Sequence, residues 1–162
     1  MSNLVLAMFV SLDGYIEGPH GKIVPPPWSA EVQDKWADHN LANAGHLLYG
    51  RVNFQFNKNY WTSPAAAKQA ETATMNRLPK TVLSRTLAGD PGWNGSLAEG
   101  ELAKTVSRLK QTVMGGDIYS FGGAGLARNL MMQNLVDEYY LMITPTILGD
   151  GKRLFDSGLP PH

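Results

Sequence analysis

Asp117-Ile118-Tyr119-Ser120-Phe121-Gly122-Gly123-Ala124-Gly125-Leu126-Ala127-Arg128-Asn129-Leu130 reads as an apolar strand that runs into a glycine cluster and then opens a helix. Gly122, Gly123 and Gly125 place no side chain between the backbone and a ligand, and they tolerate positive φ. The helix beginning at Ala124 offers unpaired N–H groups and the positive end of its dipole, so the junction suits a phosphate or pyrophosphate. Taken alone, the same residues serve equally well as a tight strand-to-helix turn with no ligand.

Outward from this junction the pattern of strand, glycine and helix recurs. Asn3–Ser11 is apolar and partly β-branched and stops at Asp13-Gly14, a buried first strand followed by a turn. After Pro25-Pro26-Pro27, Ser29 suits an N-cap, and the apolar pairs Val32/Trp36 and Ala37/Leu41 predict a helix up to Ala44. His46–Tyr49 is a short buried strand ending at Gly50-Arg51, with a brief helix expected over Val52–Asn57. Pro64–Arg77 is helix-permissive, Thr81–Ser84 is a further strand, and Ala88–Gly100 is loop. Leu102, Val106 and Leu109 have helical spacing within Glu99–Gln111, Ala124–Gln133 is the helix of the junction, and Glu138–Leu148 is a strand whose Pro145 marks an edge or a bulge. Five strands alternating with helices predict an α/β fold, a three-layer α/β/α sandwich on a mainly parallel sheet, with ligands outside the carboxyl ends of the strands.

Hydrophobic residues make up 43% of the 162-residue chain, enough for one compact domain with a real core. The 14 basic and 14 acidic residues leave a formal charge of +0, so no overall field recruits nucleic acid or an anionic membrane. Any anion has to be caught locally. With 0 Cys, thiol nucleophiles, Cys-based metal sites and disulfides are excluded, which fits a cytoplasmic protein. Met1–Ser11 is too short an apolar run for a membrane span and lacks the pattern of a signal peptide.

The Rossmann fingerprint fits poorly, because Arg128 stands where its third glycine belongs and the motif lies near the C-terminus. An ATPase-type phosphate loop fails as well, since Gly151-Lys152-Arg153 lacks the hydroxyl for magnesium. Four ordered motifs instead resemble the dihydrofolate reductase-like superfamily, most closely its branch resembling the C-terminal reductase domain of bacterial riboflavin biosynthesis. They are Val10-Ser11-Leu12-Asp13-Gly14-Tyr15-Ile16, Leu48-Tyr49-Gly50-Arg51-Val52-Asn53-Phe54, Phe121-Gly122-Gly123-Ala124-Gly125-Leu126-Ala127, and a tail running from Leu135-Val136-Asp137-Glu138-Tyr139 through Thr144-Pro145 to Leu148-Gly149-Asp150-Gly151-Lys152-Arg153-Leu154-Phe155. Together they span nearly the whole chain.

This resemblance implies NADPH lying across the carboxyl ends of the strands. Gly122 and Gly123 are then the double glycine at the cofactor, the N–H groups of Ala124, Gly125 and Leu126 bind pyrophosphate, and Gly50, Arg51 and Val52 form the second phosphate contact. Ser84 and Arg85 fall where relatives hold the adenosine 2′-phosphate, and Ser11, Asp13, Gly14 and Ile16 where they line the nicotinamide. Arg85 also reads as a solvated charge and Asp13 as a turn residue bonding nearby backbone. Folate reductases carry their acid early in the first helix, shortly after a Pro-Trp pair. Pro27-Trp28 followed by Asp34 has that placement, so Asp34 is the expected proton donor, with an ordinary solvated helix face as its alternative.

Three functions stay open. The leading one is an NADPH-dependent reductase of a small planar heterocycle or imine, with Trp28, Trp36 and Trp61 able to wall the ring. The second is the 5-amino-6-(5-phosphoribosylamino)uracil reductase of riboflavin biosynthesis, which needs a further phosphate site, for which Lys152 or Arg153 are available. The third is a non-catalytic NADPH-binding or sensory module. The chain carries no His-x-Glu and no Cys, so it is expected as a stand-alone reductase without a zinc deaminase. Relatives continue into a further strand, whereas this sequence stops at Leu159-Pro160-Pro161-His162, so residues 1–162 are expected as one domain that either lacks its final strand or completes its last sheet edge differently, and a homodimer is expected.

Overall fold

The structure is a computed structural model that describes residues 1–21, 23 and 25–161. In chain order its main elements are β1 (Leu4–Ser11), β2 (Tyr15–Glu17), α1 (Ala30–Val32), a π-helical stretch (Gln33–Asp38), α2 (His39–Asn43), β3 (Ala44–Gly50) and α3 (Arg51–Trp61). There follow α4 (Thr72–Arg77), β4 (Lys80–Leu83), β5 (Gly95–Leu97), α5 (Leu102–Thr112), β6 (Asp117–Ser120), α6 (Ala124–Met132), β7 (Glu138–Thr144) and β8 (Lys152–Arg153).

Six strands form one sheet in the order β5-β4-β3-β6-β1-β7, and every pairing in it is parallel. A parallel strand covered on both faces carries an unbroken apolar run, which is why β1 and β3 show no alternation. Side chains still point to opposite faces. Val5 and Ala7, Leu47 and Tyr49, Val82 and Tyr119 meet Trp36, Ala37 and Phe54 on one side. On the other, Leu6, Met8 and Val10 pack against Ala127 and Met131 of α6, and Leu4, Leu48 and Ile118 against Val106 and Leu109 of α5. The three-layer α/β/α arrangement follows, and β2 with β8 forms a separate antiparallel ribbon.

The sequence pattern predicts five strands in this sheet; the sixth is Gly95–Leu97, which pairs with β4 inside the glycine-rich stretch expected to be loop. A strand of three residues has no periodicity to read. In the segment 64–77, expected to be helix-permissive, the α-helix is confined to Thr72–Arg77. Ser29 caps the first helix as expected, accepting the Val32 N–H at 3.2 Å. β7 stops at Thr144, before Pro145, and lies at the sheet edge where a proline can be accommodated.

β3 also carries a buried titratable group. His46 is 9% exposed, its Nε2 lies 2.9 Å from Thr81 Oγ1, and desolvation, with the Lys80 charge nearby, lowers its pKa from 6.5 to about 4. The unfolded chain takes up this proton at a higher pH than the folded one does. Stability therefore falls as pH drops from about 6.5 towards about 4 and then levels off, a loss of up to about 3 kcal/mol. His46→Gln is expected to remove this component from the pH dependence of the urea midpoint while keeping a partner for Thr81. An unchanged acid slope in the variant contradicts the assignment.

Candidate active site

Because the strands are parallel, their carboxyl ends emerge on one side of the sheet. The order β4, β3, β6, β1 sets Ser84-Arg85, Gly50-Arg51-Val52, Gly122 to Leu126, and Ser11 in a row there. At the usual strand spacing this row is roughly 14 Å long. Segments separated by more than a hundred positions in the chain are thus neighbours.

Two helices start in the middle of the row, α3 after β3 and α6 after β6. Their N-cap residues are Gly50 and Gly123, and neither helix has a side-chain cap. The N–H groups of the first turn, those of Ala124, Gly125 and Leu126 in α6, lie outside the helix's own ladder, which begins with Ala127 N–H donating to Gly123 O at 3.0 Å. A Cβ built at Gly123 or Gly125 meets nothing within 4 Å, so this N-terminus is open. At Gly122, by contrast, φ is +92° and a Cβ would approach Met8 Cε to 2.7 Å. The Gly122–Gly123 peptide is cis. The two helix starts are close, since a Cβ at Gly50 would lie 3.7 Å from Leu126 Cβ. Arg51 and Arg85 are exposed at this edge, while Ser84 Oγ accepts the Thr86 and Leu87 N–H groups at 3.2 and 2.8 Å and so shapes the turn that carries Arg85.

The segment after β1 is committed differently. Ser11 Oγ donates to Asp13 Oδ1 at 2.6 Å, and the Asp13 carboxylate also accepts the N–H groups of Leu148 (3.1 Å) and Gly149 (2.7 Å). The Ser11 hydroxyl, aided by these backbone donors, holds the Asp13 carboxyl down at about 2. Asp13 thus pins the 148–149 loop from across the chain. Ile16 is buried among Leu6, Met8, Val10 and Leu154 and directs its side chain into the core. Lys152 pairs with Glu17 at 2.7 Å, and Arg153 lies over the Tyr15 ring and donates to Tyr15 Oη at 2.9 Å.

Beside the row, on the face of α1 to α4, lies a cleft of about 670 Å³. Its wall carries Phe9 from β1, Trp28, Trp36, Phe56, Tyr60, Trp61 and Phe121, the residue that leads into Gly122. Trp28, Trp36 and Trp61, singled out in the sequence, do come together here. Phe9 and Trp36 stack at 4.6 Å. A hydrogen-bonded chain ties the cleft to the glycine junction: Trp61 Nε1 donates to Asn57 Oδ1 (3.1 Å), Asn57 Nδ2 to Asn53 Oδ1 (3.0 Å), and Asn53 Nδ2 to Phe121 O (3.5 Å). The i,i+4 stripe Asn53, Asn57, Trp61 on α3 is visible in the sequence once the helix is known to reach Trp61 rather than Asn57.

Asp34 is not brought to this cleft. It is exposed in the π-helical stretch and does not line the wall, as the solvated-face alternative has it. The carboxylate that lines the wall is Glu71, just before α4, whose Oε1 accepts from Gln33 Nε2 at 2.7 Å. Gln33 in turn accepts from Trp28 Nε1 at 3.0 Å, so one side chain orients both the acid and an aromatic wall. Glu71 follows a stretch without regular structure, and no local spacing marks it.

Sheet order, glycine junction and tail motifs agree with a sequence match over residues 2–162 to the family described as the RibD C-terminal domain. The chain belongs to that family. The uncharacterized protein YyaP of Bacillus subtilis (strain 168) is 31% identical over 155 residues, which is 94% of this chain and 79% of YyaP. A putative riboflavin biosynthesis protein from Shewanella sp. PV-4 superposes with a TM-score of 0.70 at 25% identity, over 97% of this chain and 84% of that one. RibD of Acinetobacter baumannii gives a TM-score of 0.68 at 19% identity; 99% of this chain is covered, but it spans only 51% of that protein. A dihydrofolate reductase from Enterococcus faecalis, solved with NADP(H), superposes with a TM-score of 0.60 at 14% identity over 95% of this chain and 77% of its own, which shows the shared fold. Among the described residues no helix is long and apolar enough to cross a membrane.

Proposed function

We propose that this protein is an NADPH-dependent reductase that transfers a hydride to a small planar heterocycle or imine. The observation that carries the reading is the open, glycine-capped N-terminus of α6 beside the glycine-capped start of α3, next to an aromatic cleft. These residues fit a dinucleotide. Ala124, Gly125 and Leu126 would hold one phosphate by backbone N–H groups, Gly50, Arg51 and Val52 the other, and Arg85 the 2′-phosphate. When bound, the nicotinamide supplies the hydride.

The chain's own part is positioning, exclusion of water and delivery of one proton. Phe9, Trp36 and Phe121 offer flat apolar surface that orients a ring and keeps solvent out. Reduction of C=N places the hydride on carbon and requires a proton on nitrogen, which the Glu71 carboxyl delivers in this reading. Glu71→Gln is expected to lower kcat about 100-fold with NADPH binding intact, whereas Asp34→Asn stays near wild type in the same NADPH-oxidation assay. The reverse pattern returns the proton to Asp34.

The phosphoribosyl-aminouracil reaction remains the second reading, on the strength of the family. The cleft favours the first, because the charged side chain among its described lining residues is the acid Glu71, and Lys152 and Arg153 are engaged in the β2–β8 ribbon. The cofactor assignment is tested by titrating NADPH and NADH against the wild type and Arg85→Ala. Loss of a charge-assisted contact is expected to weaken NADPH by about 1.5 to 3 kcal/mol and leave NADH nearly unchanged. Equal losses for both contradict the 2′-phosphate role.

A further inference from the structure

Asn40 sits at the foot of the aromatic cleft, one helical turn beyond Trp36 and Ala37, which share its face of the helix and also line the cleft. The residue is 1% exposed, and neither its Nδ2 nor its Oδ1 has a hydrogen-bond partner among the described residues. A primary amide stripped of water on both its donor and its acceptor side is costly, and buried polar groups are almost always paired. It lines the cleft together with Trp36, Ala37, Leu41 and Met75. The cleft is where a partner can come from.

We propose that Asn40 is a specificity-determining residue that reads a lactam edge, a ring N–H beside a ring C=O, on the planar heterocycle held in the cleft. A lactam presents one donor and one acceptor side by side, and a carboxamide presents the complementary pair, Oδ1 accepting from the N–H and Nδ2 donating to the C=O. Both polar atoms are buried in the structure, so the side chain has to turn toward the cleft to engage the ring. The stacked pair Phe9 and Trp36, 4.6 Å apart in centroids, supplies the apolar surface for the rest of the ring. The edge is recognised strongly because a ring lacking it leaves the amide unpaired while the ring's bulk shuts out water. This inference rests on the reductase reading for the occupant of the cleft, but it concerns binding and needs no turnover.

The test compares lumazine, a pteridine-2,4-dione with free ring N–H groups, with its 1,3-dimethyl derivative, which keeps the ring and both carbonyls but has no lactam N–H. Binding is followed by isothermal titration on the full chain, with NADPH binding measured separately. Wild type is expected to prefer lumazine by at least about tenfold. In Asn40→Leu, close in size and apolar, the preference is expected to fall to near unity while the thermal midpoint holds or rises, since an unpaired amide has been removed. Asn40→Ala serves as a second variant with the same expected loss of preference. A wild-type ratio near one, no binding of either ring, or a preference that survives in both variants overturns the role of Asn40. Failure of NADPH to bind alongside a wild-type preference for lumazine sinks the reductase reading and leaves the lactam reading standing.

Discussion

Gly125→Asp is expected to weaken NADPH binding at least about 100-fold while leaving the thermal midpoint unchanged or slightly raised. Gly125 lies in the first turn of α6, and a Cβ there meets nothing within 4 Å, so the substitution has room. A carboxylate in the first turn of a helix interacts well with the dipole and replaces the most entropically costly residue in a helix. The same charge stands where a phosphate would have to sit, and like charges in one site cost several kcal/mol. Structure and ligand therefore respond in opposite senses. Fluorescence titration beside a melting curve checks both; retained NADPH affinity in a stable variant removes α6 from the phosphate site.

The largest effect on stability is expected from Phe54→Ala, a loss of about 3 to 5 kcal/mol. Phe54 is 1% exposed on α3 and packs edge-on to Tyr49 at 6.1 Å and against Trp93 at 5.5 Å. It also fills the space that Gly95 leaves free, where a Cβ would come within 3.1 Å of its ring. Truncation opens a cavity beneath α3 and takes away the support of β5, the last strand of the sheet. Urea denaturation followed by far-ultraviolet circular dichroism measures the change, and a loss below about 1 kcal/mol contradicts this account of the core.

Much of this arrangement can be read from the chain because its signals are local. Asn3 to Ser11 and His46 to Tyr49 are apolar runs that end at turn residues, and the glycine junction at Gly122 to Gly125 sits where an apolar strand meets a helix. Four such motifs in order identify the family before any coordinates. The cleft is less legible. Glu71, Asn40 and the α3 pair Phe56 and Tyr60 are drawn together by tertiary packing of separate elements. Asp34 illustrates the limit of carrying a role by placement alone, because the π-helical stretch Gln33–Asp38 buries Trp36 and Ala37 and leaves Asp34 exposed. Asp13 shows the other limit: a carboxylate in a shared motif is bound by the backbone at 148–149, a contact across 136 positions of chain.

In the function proposed for this protein, the carboxyl edge of the sheet holds a phosphorylated dinucleotide beside the aromatic cleft. The chain has 4 Trp, and Trp28, Trp36 and Trp61 line that cleft, so tryptophan emission reports directly on a nicotinamide bound there. Titration with NADPH is expected to quench this emission saturably in the micromolar range, at lower concentration than NADH requires. No quenching at high micromolar NADPH contradicts the account.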